Sequence, residues 1–252
     1  MIKEETRQRE STVFEGMISV RAVLESEHSD RKIEKILFSR AKEKNKAREL
    51  AYLRARAKEL SFPLEIVPEE DIDRLAVGNS HGGILALCSD RTYPKITKDA
   101  VTEAGFYVYM DGIEDPYNFG YALRSLYAAG ADGVILAERN WLSAAGVVCR
   151  ASAGASERMR LYAYDESFPE LFRNAGYRIV SADTKNAVPM YEADLKKPLL
   201  LIVGGERRGI AKRYTDASDS IIRIEYGRAF RESLSAASAA SVIAFEIYRQ
   251  NR

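Results

Sequence analysis

The sequence predicts an α/β protein. A C-terminal, mainly parallel sheet carries helices on both faces and is preceded by a small α/β sandwich domain. Three observations carry this. From Gly105 onward, short apolar runs of strand length alternate with helix-length segments, the pattern of parallel βα units. A polar stretch without periodicity, residues 91–103, divides this half from an earlier run of alternating helix and strand patterns, residues 13–90. Three polar loops in the C-terminal half each follow directly on a strand, where open α/β sheets hold their ligands.

In chain order, residues 1–12 form a charged N-terminal extension. Residues 17–24 suit an amphipathic helix, 33–38 a strand, 47–60 a longer helix rich in Ala, Leu and Arg, and 64–67 a second strand. Pro68-Glu69-Glu70-Asp71 opens another helix, and Gly82-Gly83 leads into a third strand at 84–87. Lys and Arg dominate the span from Arg31 to Lys58, where the acids are Glu34, Glu43 and Glu49. Such a run is either a phosphate-contacting face or a solvated helix face. The C-terminal domain, 104–252, reads as strand 106–110, a helix around Arg124, strand 134–136 and a helix at 143–150. An Ala/Ser/Gly run at 151–156 follows, then strand 160–164, helix 168–175, and strands 178–181 and 199–203. A short helix near Ala211, strand 221–224 and helix 233–249 complete it.

Of the 252 residues, 46% are hydrophobic, ample for a buried core, and the net charge of +1 gives no pointer to nucleic acid. Cys88 and Cys149 lie far apart in apolar surroundings, as reduced, buried cysteines do. His28 and His81 are not spaced with Cys or carboxylates as metal ligands are, so no metal site is expected. The N-terminus is charged and lacks the apolar stretch of a signal peptide. The apolar run 198–203 falls far short of the roughly twenty residues that span a bilayer. A cytoplasmic, soluble protein with no membrane partner is expected.

The first loop is Asp115-Pro116-Tyr117-Asn118, in which Asn118 suits a helix cap. Asn118 and Arg124 read either as a cap and a solvated charge or as ligand-facing groups. The second loop, Gly204-Gly205-Glu206-Arg207-Arg208-Gly209, follows an apolar strand. Its glycines let backbone approach a ligand closely, and Glu206 adds an acceptor at the mouth; a plain turn is the other reading. It is neither the dinucleotide fingerprint nor a phosphate loop. The third loop runs from Ile224 to Ser235 and enters a helix whose first turns are almost all Ala and Ser, with Ser233 as the expected cap. So slim a helix suits a core or an interface. No Ser-His-Asp or Cys-His set can be assembled. Group transfer from an activated small-molecule donor needs fewer catalytic side chains, because the donor carries the reactive carbon.

Together the three loops resemble the SpoU/TrmH branch of the SPOUT RNA methyltransferases. Asp115, Pro116, Asn118, Gly120, Arg124 and Ser125 match its first motif; Gly204, Glu206 and Gly209 match the second. Ile224, Gly227, Ser233 and Leu234 match the third, and 150–155 is similar to the family's Ala/Ser/Gly segment. Phe14-Glu15-Gly16 and Ser80-His81-Gly82-Gly83-Ile84 sit where landmarks of a ribosomal-protein-like RNA substrate-binding domain fall.

The resemblance implies a trefoil knot, an exception to the rule against knots, and a homodimer whose two subunits complete each site. It implies transfer of a methyl group from S-adenosylmethionine to a ribose 2′-hydroxyl of RNA, ribosomal rather than transfer RNA. By position, Thr184, Gly204, Gly205, Gly209, Ile224 and Leu234 would hold the cofactor. Arg124, Asn118, Glu206 and Ser233 would form the catalytic set. An arginine stays protonated at neutral pH, so Arg124 would hold a phosphate or the developing alkoxide. The sequence departs from the pattern at the third motif. Ser235 stands for the usual Asn, and Glu225 and Tyr226 replace Pro and Met. A catalytically silent RNA-binding relative is the alternative these departures raise.

Overall fold

The computed structural model describes residues 12–78, 81–137, 144–205 and 208–252. The chain begins with β1 (Val13–Glu15), α1 (Gly16–Leu24), β2 (Ile33–Ser39), α2 (Ala47–Leu60), β3 (Leu64–Val67), α3 (Glu69–Leu75) and β4 (Ile84–Cys88). It continues through β5 (Phe106–Asp111), α4 (Pro116–Ala128), β6 (Gly133–Leu136), α5 (Ala145–Ala151) and α6 (Ala155–Arg158). Then come β7 (Leu161–Ala163), α7 (Phe168–Asn174), β8 (Arg178–Ala182), β9 (Val188–Pro189) and β10 (Leu199–Gly204). Last are α8 (Lys212–Asp216), β11 (Ser220–Arg223) and α9 (Ala236–Gln250). No helix among the described residues is long and apolar enough to cross a membrane.

These elements segregate into two compact units. The first holds a four-stranded sheet in the order β1-β4-β2-β3, antiparallel except for β2 against β3. Strand β1, three residues long, is absent from the sequence-based expectation, since so short a run has no visible alternation. Phe14, Val20, Phe38, Leu53 and Ile84 form the core on which α1 and α2 pack, and α2 stops at Ser61 in the left-handed region (φ 58°).

Residues 144–158, which the sequence assigns to the C-terminal domain, pack with the first unit, where Ala145 and Cys149 join its core. The reason is partly space and partly charge. Gly154 has φ +86°, and a Cβ there would lie 2.6 Å from that of Ala22. The buried Glu157 carboxylate accepts from Ser29 Oγ (2.8 Å) and Arg31 Nε (3.3 Å), the pair having side chains 3% and 1% exposed. Arg150 pairs with buried Glu15, whose carboxylate also accepts from the Val77 and Gly78 amides. Arg91 donates to the Ser156 carbonyl at 2.7 Å.

The second unit is a seven-stranded sheet in the order β7-β6-β5-β10-β8-β11-β9, every neighbouring pair parallel. β10 lies between β5 and β8, and its residues Leu199 to Val203 are all buried. Tyr107 and Tyr109 pack with Phe168, Phe172, Tyr177 and Tyr214 in an aromatic layer. α4 packs on α9, which also contacts β10. Because all strands run the same way, the exits of β5, β8, β10 and β11 gather on one edge.

Removing a partner from a buried ion pair strands the remaining charge. Glu157→Ala should therefore destabilise the first unit by about 3–5 kcal/mol, read as a shift in its denaturant unfolding transition.

Candidate functional site

A cleft of about 710 Å³ opens at the exits of β8, β10 and β11 and is closed by the chain entering α9. Thr184, Gly204, Gly205, Gly209, Ile224, Ser233 and Leu234, expected from three separate stretches, all line it. Val203, Ile222 and Ile243 add apolar wall and Asp183 polar rim, the make-up of a site for a small organic molecule.

The floor is built by glycines. A Cβ on Gly205 would lie 2.2 Å from the Gly112 carbonyl oxygen, and one on Gly204 2.4 Å from the Gly209 carbonyl carbon, so only hydrogen fits at either. Gly209 has φ +62°, the left-handed region natural to glycine, and its amide donates to the Gly205 carbonyl at 3.0 Å. Asp111 grips both ends of this loop. Its carbonyl accepts from the Gly205 amide (2.6 Å) and its carboxylate from the Ala211 amide (2.9 Å). The Tyr109 hydroxyl reaches the other carboxylate oxygen at 3.4 Å. Burial drives the Tyr109 phenol far above its ordinary range, so it stays a neutral donor. Behind it, Arg213 donates to the Tyr164 (3.0 Å) and Tyr214 (2.9 Å) hydroxyls.

The first loop sits beside this cleft. Asp115, not Asn118, caps α4: its side chain accepts from the Asn118 amide at 2.7 Å, with Pro116 at the first helical position. Asn118 thus falls in the first turn, and it lines a recess of about 140 Å³ with Gly112, Asp115, Arg208 and Ala236. Ala236 borders both cavities. Arg208 was not singled out in the sequence; a cation inside a glycine loop was the available signal.

Arg124 lies further along α4, exposed, and lines neither cavity. Its neighbour Ser125 receives a hydrogen bond from Ser241 Oγ of α9 at 2.6 Å. Glu206 lies outside the described residues. α9 starts at Ala236 and its cap is Ser235, which accepts from the Ser238 amide at 3.2 Å; the expected cap, Ser233, lies before the helix on the cleft wall. Among the described residues no His, Cys, Asp and Glu group could hold a metal. His81 is bound within the first unit, 2.9 Å from Asp73. Burial pushes the Cys149 thiol up to about 12 and that of Cys88 higher still, so neither is a thiolate nucleophile.

Residues 105–245 match the model of the SpoU rRNA Methylase family. The chain belongs to this family. Residues 15–94 match a second model, RNA 2′-O ribose methyltransferase substrate binding. The SpoU chain is 26% identical over 242 residues to a Bacillus subtilis (strain 168) protein named "Putative TrmH family tRNA/rRNA methyltransferase YacO", covering 93% of this chain and 95% of that one. A Staphylococcus haemolyticus (strain JCSC1435) protein, likewise named a TrmH family tRNA/rRNA methyltransferase with the same qualifier, is 31% identical over 203 residues, covering 77% and 80%. The fold is shared with an AdoMet-bound rRNA methyltransferase from Sinorhizobium meliloti, with TM-score 0.78, 23% identity and coverage of 98% and 94%. It is shared also with an RNA 2′-O ribose methyltransferase, with TM-score 0.78, 24% identity and coverage of 94% and 88%.

The grip of Asp111 on the glycine loop has a local readout. In Asp111→Ala, hydrogen exchange at the Ala211 amide should accelerate at least tenfold, while amides shared by β5 and β10 keep their protection.

Proposed function

We propose that this SpoU family member transfers a methyl group from S-adenosylmethionine to a ribose 2′-hydroxyl of RNA. One observation carries the reading: the glycine loop and the third-motif loop line one cleft, with the first-motif turn at its side. The cleft fits a bent nucleoside, its floor being backbone that glycine leaves bare and its walls apolar. When bound, S-adenosylmethionine supplies an electrophilic methyl carbon, which is why the protein needs no nucleophile of its own.

The backbones of Gly204, Gly205, Ile224 and Leu234 would hold the cofactor, with Gly209 shaping the loop and Thr184 at the rim. Asn118, Glu206 and Ser233 would orient the ribose. Arg124, a permanent cation, would hold an RNA phosphate or the alkoxide that develops as the hydroxyl loses its proton.

Arg124 of one chain lies outside that chain's own cleft, and a homodimer answers this. Tyr117 and Tyr121 on α4 and Val242, Phe245 and Tyr248 on α9 are large apolar residues left 37% to 51% exposed, at the three- and four-residue spacing of a single helix face. A second copy covering them would bring its own α4, with its Arg124, to a neighbouring cleft. A trefoil threading of the C-terminal segment, ribosomal rather than transfer RNA as substrate, and a cytoplasmic site of action complete the reading; the substrate-binding match at 15–94 supports RNA, of either kind, as the substrate class.

A silent RNA-binding relative is favoured by one fact. Ser235, in place of the family's Asn, spends its hydroxyl on capping α9. Calorimetric titration of S-adenosylmethionine separates the two, because a silent relative has no tight cofactor site.

The wild type should incorporate labelled methyl into cellular RNA, and Arg124→Ala should lose about 10²–10³-fold in rate with cofactor affinity intact. Failure of the wild type to label any cellular RNA overturns the reading. Phe245→Glu with Tyr121→Glu should sediment as a monomer and lose transfer activity.

A further inference from the structure

The loop between β11 and α9 carries two aromatic rings that the functions assigned above do not use. Tyr226 and Phe230 are 39% and 59% exposed, their rings are 6.0 Å apart and inclined at 54°, and both line the large cleft. Tyr226 is held in place, since its hydroxyl accepts from the Leu234 amide at 3.0 Å and closes the loop across its base. Phe230 stands at the mouth with nothing covering most of its surface.

The charges around these rings are mixed, and the Glu232 carboxylate of the same loop also lines the cleft. Glu225 is engaged by Arg223 at 3.5 Å. Arg228 and Arg231 of the same loop are exposed, and among the described residues neither has an ion-pair partner. Arg231 itself lines the cleft. An open π face with exposed guanidinium groups in the same loop is the chemistry that holds single-stranded nucleic acid, in which bases stack on rings and phosphates meet cations.

We infer that Phe230, backed by Tyr226, is a stacking platform for an unpaired nucleobase of the RNA at the mouth of the cleft. Arg228 and Arg231 hold the phosphates on either side of that base. The inference deepens the proposed function and rests on it. Because the rings line the cleft itself, whatever covers them must lie in or over it. Tyr117, Tyr121, Val242, Phe245 and Tyr248, where a second copy is expected, do not line that cleft. Stacking reads no hydrogen-bond edge, so the platform admits any base that has been pulled out of a helix.

The test uses the full chain and a short single-stranded oligoribonucleotide carrying 2-aminopurine, whose fluorescence falls when it stacks. The wild type should bind and quench it. Phe230→Ala should weaken binding by about 5- to 150-fold and abolish the quenching, and Phe230→Trp should restore both. Cofactor affinity by titration calorimetry and the sedimentation coefficient should be unchanged in both variants. Unaltered binding and quenching in Phe230→Ala overturns the platform, as does a wild type that neither binds nor quenches the probe. A loss of cofactor affinity, or a shift to monomer, equally overturns it, by showing that the ring covers the cofactor or a second copy instead. Methyl incorporation is scored separately. If the wild type labels cellular RNA while Phe230→Ala leaves probe binding untouched, the platform alone fails; if the wild type labels none, the proposed reaction fails.

Discussion

Where β5 and β10 end side by side, the chain permits nothing larger than hydrogen. Gly205 lies on the Gly112 carbonyl and Gly204 on Gly209, while Asp111 takes the amides at both ends of the loop. The rest of the candidate site depends on this contact. It sets the cleft floor at the level of the strand ends, and it draws the segment leading to the first-motif turn, in which Gly112 follows Asp111, against the glycine loop. Asp111 is itself held from behind, by a phenol that burial keeps neutral. A rigid aromatic layer under the sheet thereby steadies a loop of bare backbone above it.

Much of this architecture was legible in the residues because its signals are local. The apolar runs of the C-terminal strands, the helix at 47–60 and the strand at 64–67 were readable from periodicity alone. The glycine pair could be located but not assigned, since two glycines after a buried strand serve a plain turn as well as a ligand floor. Capping was harder. Asn118 and Asp115 are both good caps, and the proline after Asp115 decides between them by taking the first helical position. Ser233, the cap expected of the last helix, gives way to Ser235, whose hydroxyl meets the amide three residues on. The packing of 144–158 was not readable at all. Its determinants, Glu157 with Arg31 and Arg150 with Glu15, join residues more than a hundred positions apart, and no window of sequence contains both partners.

The cleft also divides its labour by chemistry. Its inner part is backbone and aliphatic side chain, which suits a ligand of fixed structure. Its rim, the loop from Ile224 to Leu234, is aromatic and charged, with Arg228 and Arg231 set among Glu225 and Glu232, and there this sequence departs most from the family's third motif. Variation at a rim can alter which nucleotide is admitted without disturbing the pocket beneath, so long as the amide of Leu234 keeps a partner. Here the Tyr226 hydroxyl fills that office.

The chain leaves the first unit after Thr92, builds β5, α4 and β6 of the second, and returns to contribute 144–158. On the ribosome this order matters. Synthesis runs at about 5–20 residues per second, so for several seconds the nascent first unit waits without Arg150 for Glu15 and Glu157 for Arg31, and with part of its apolar core open. It can close only after the opening βαβ of its neighbour has emerged. The two units therefore mature in an interleaved order, and the first can be finished only when residue 158 has emerged, part-way through synthesis of the second.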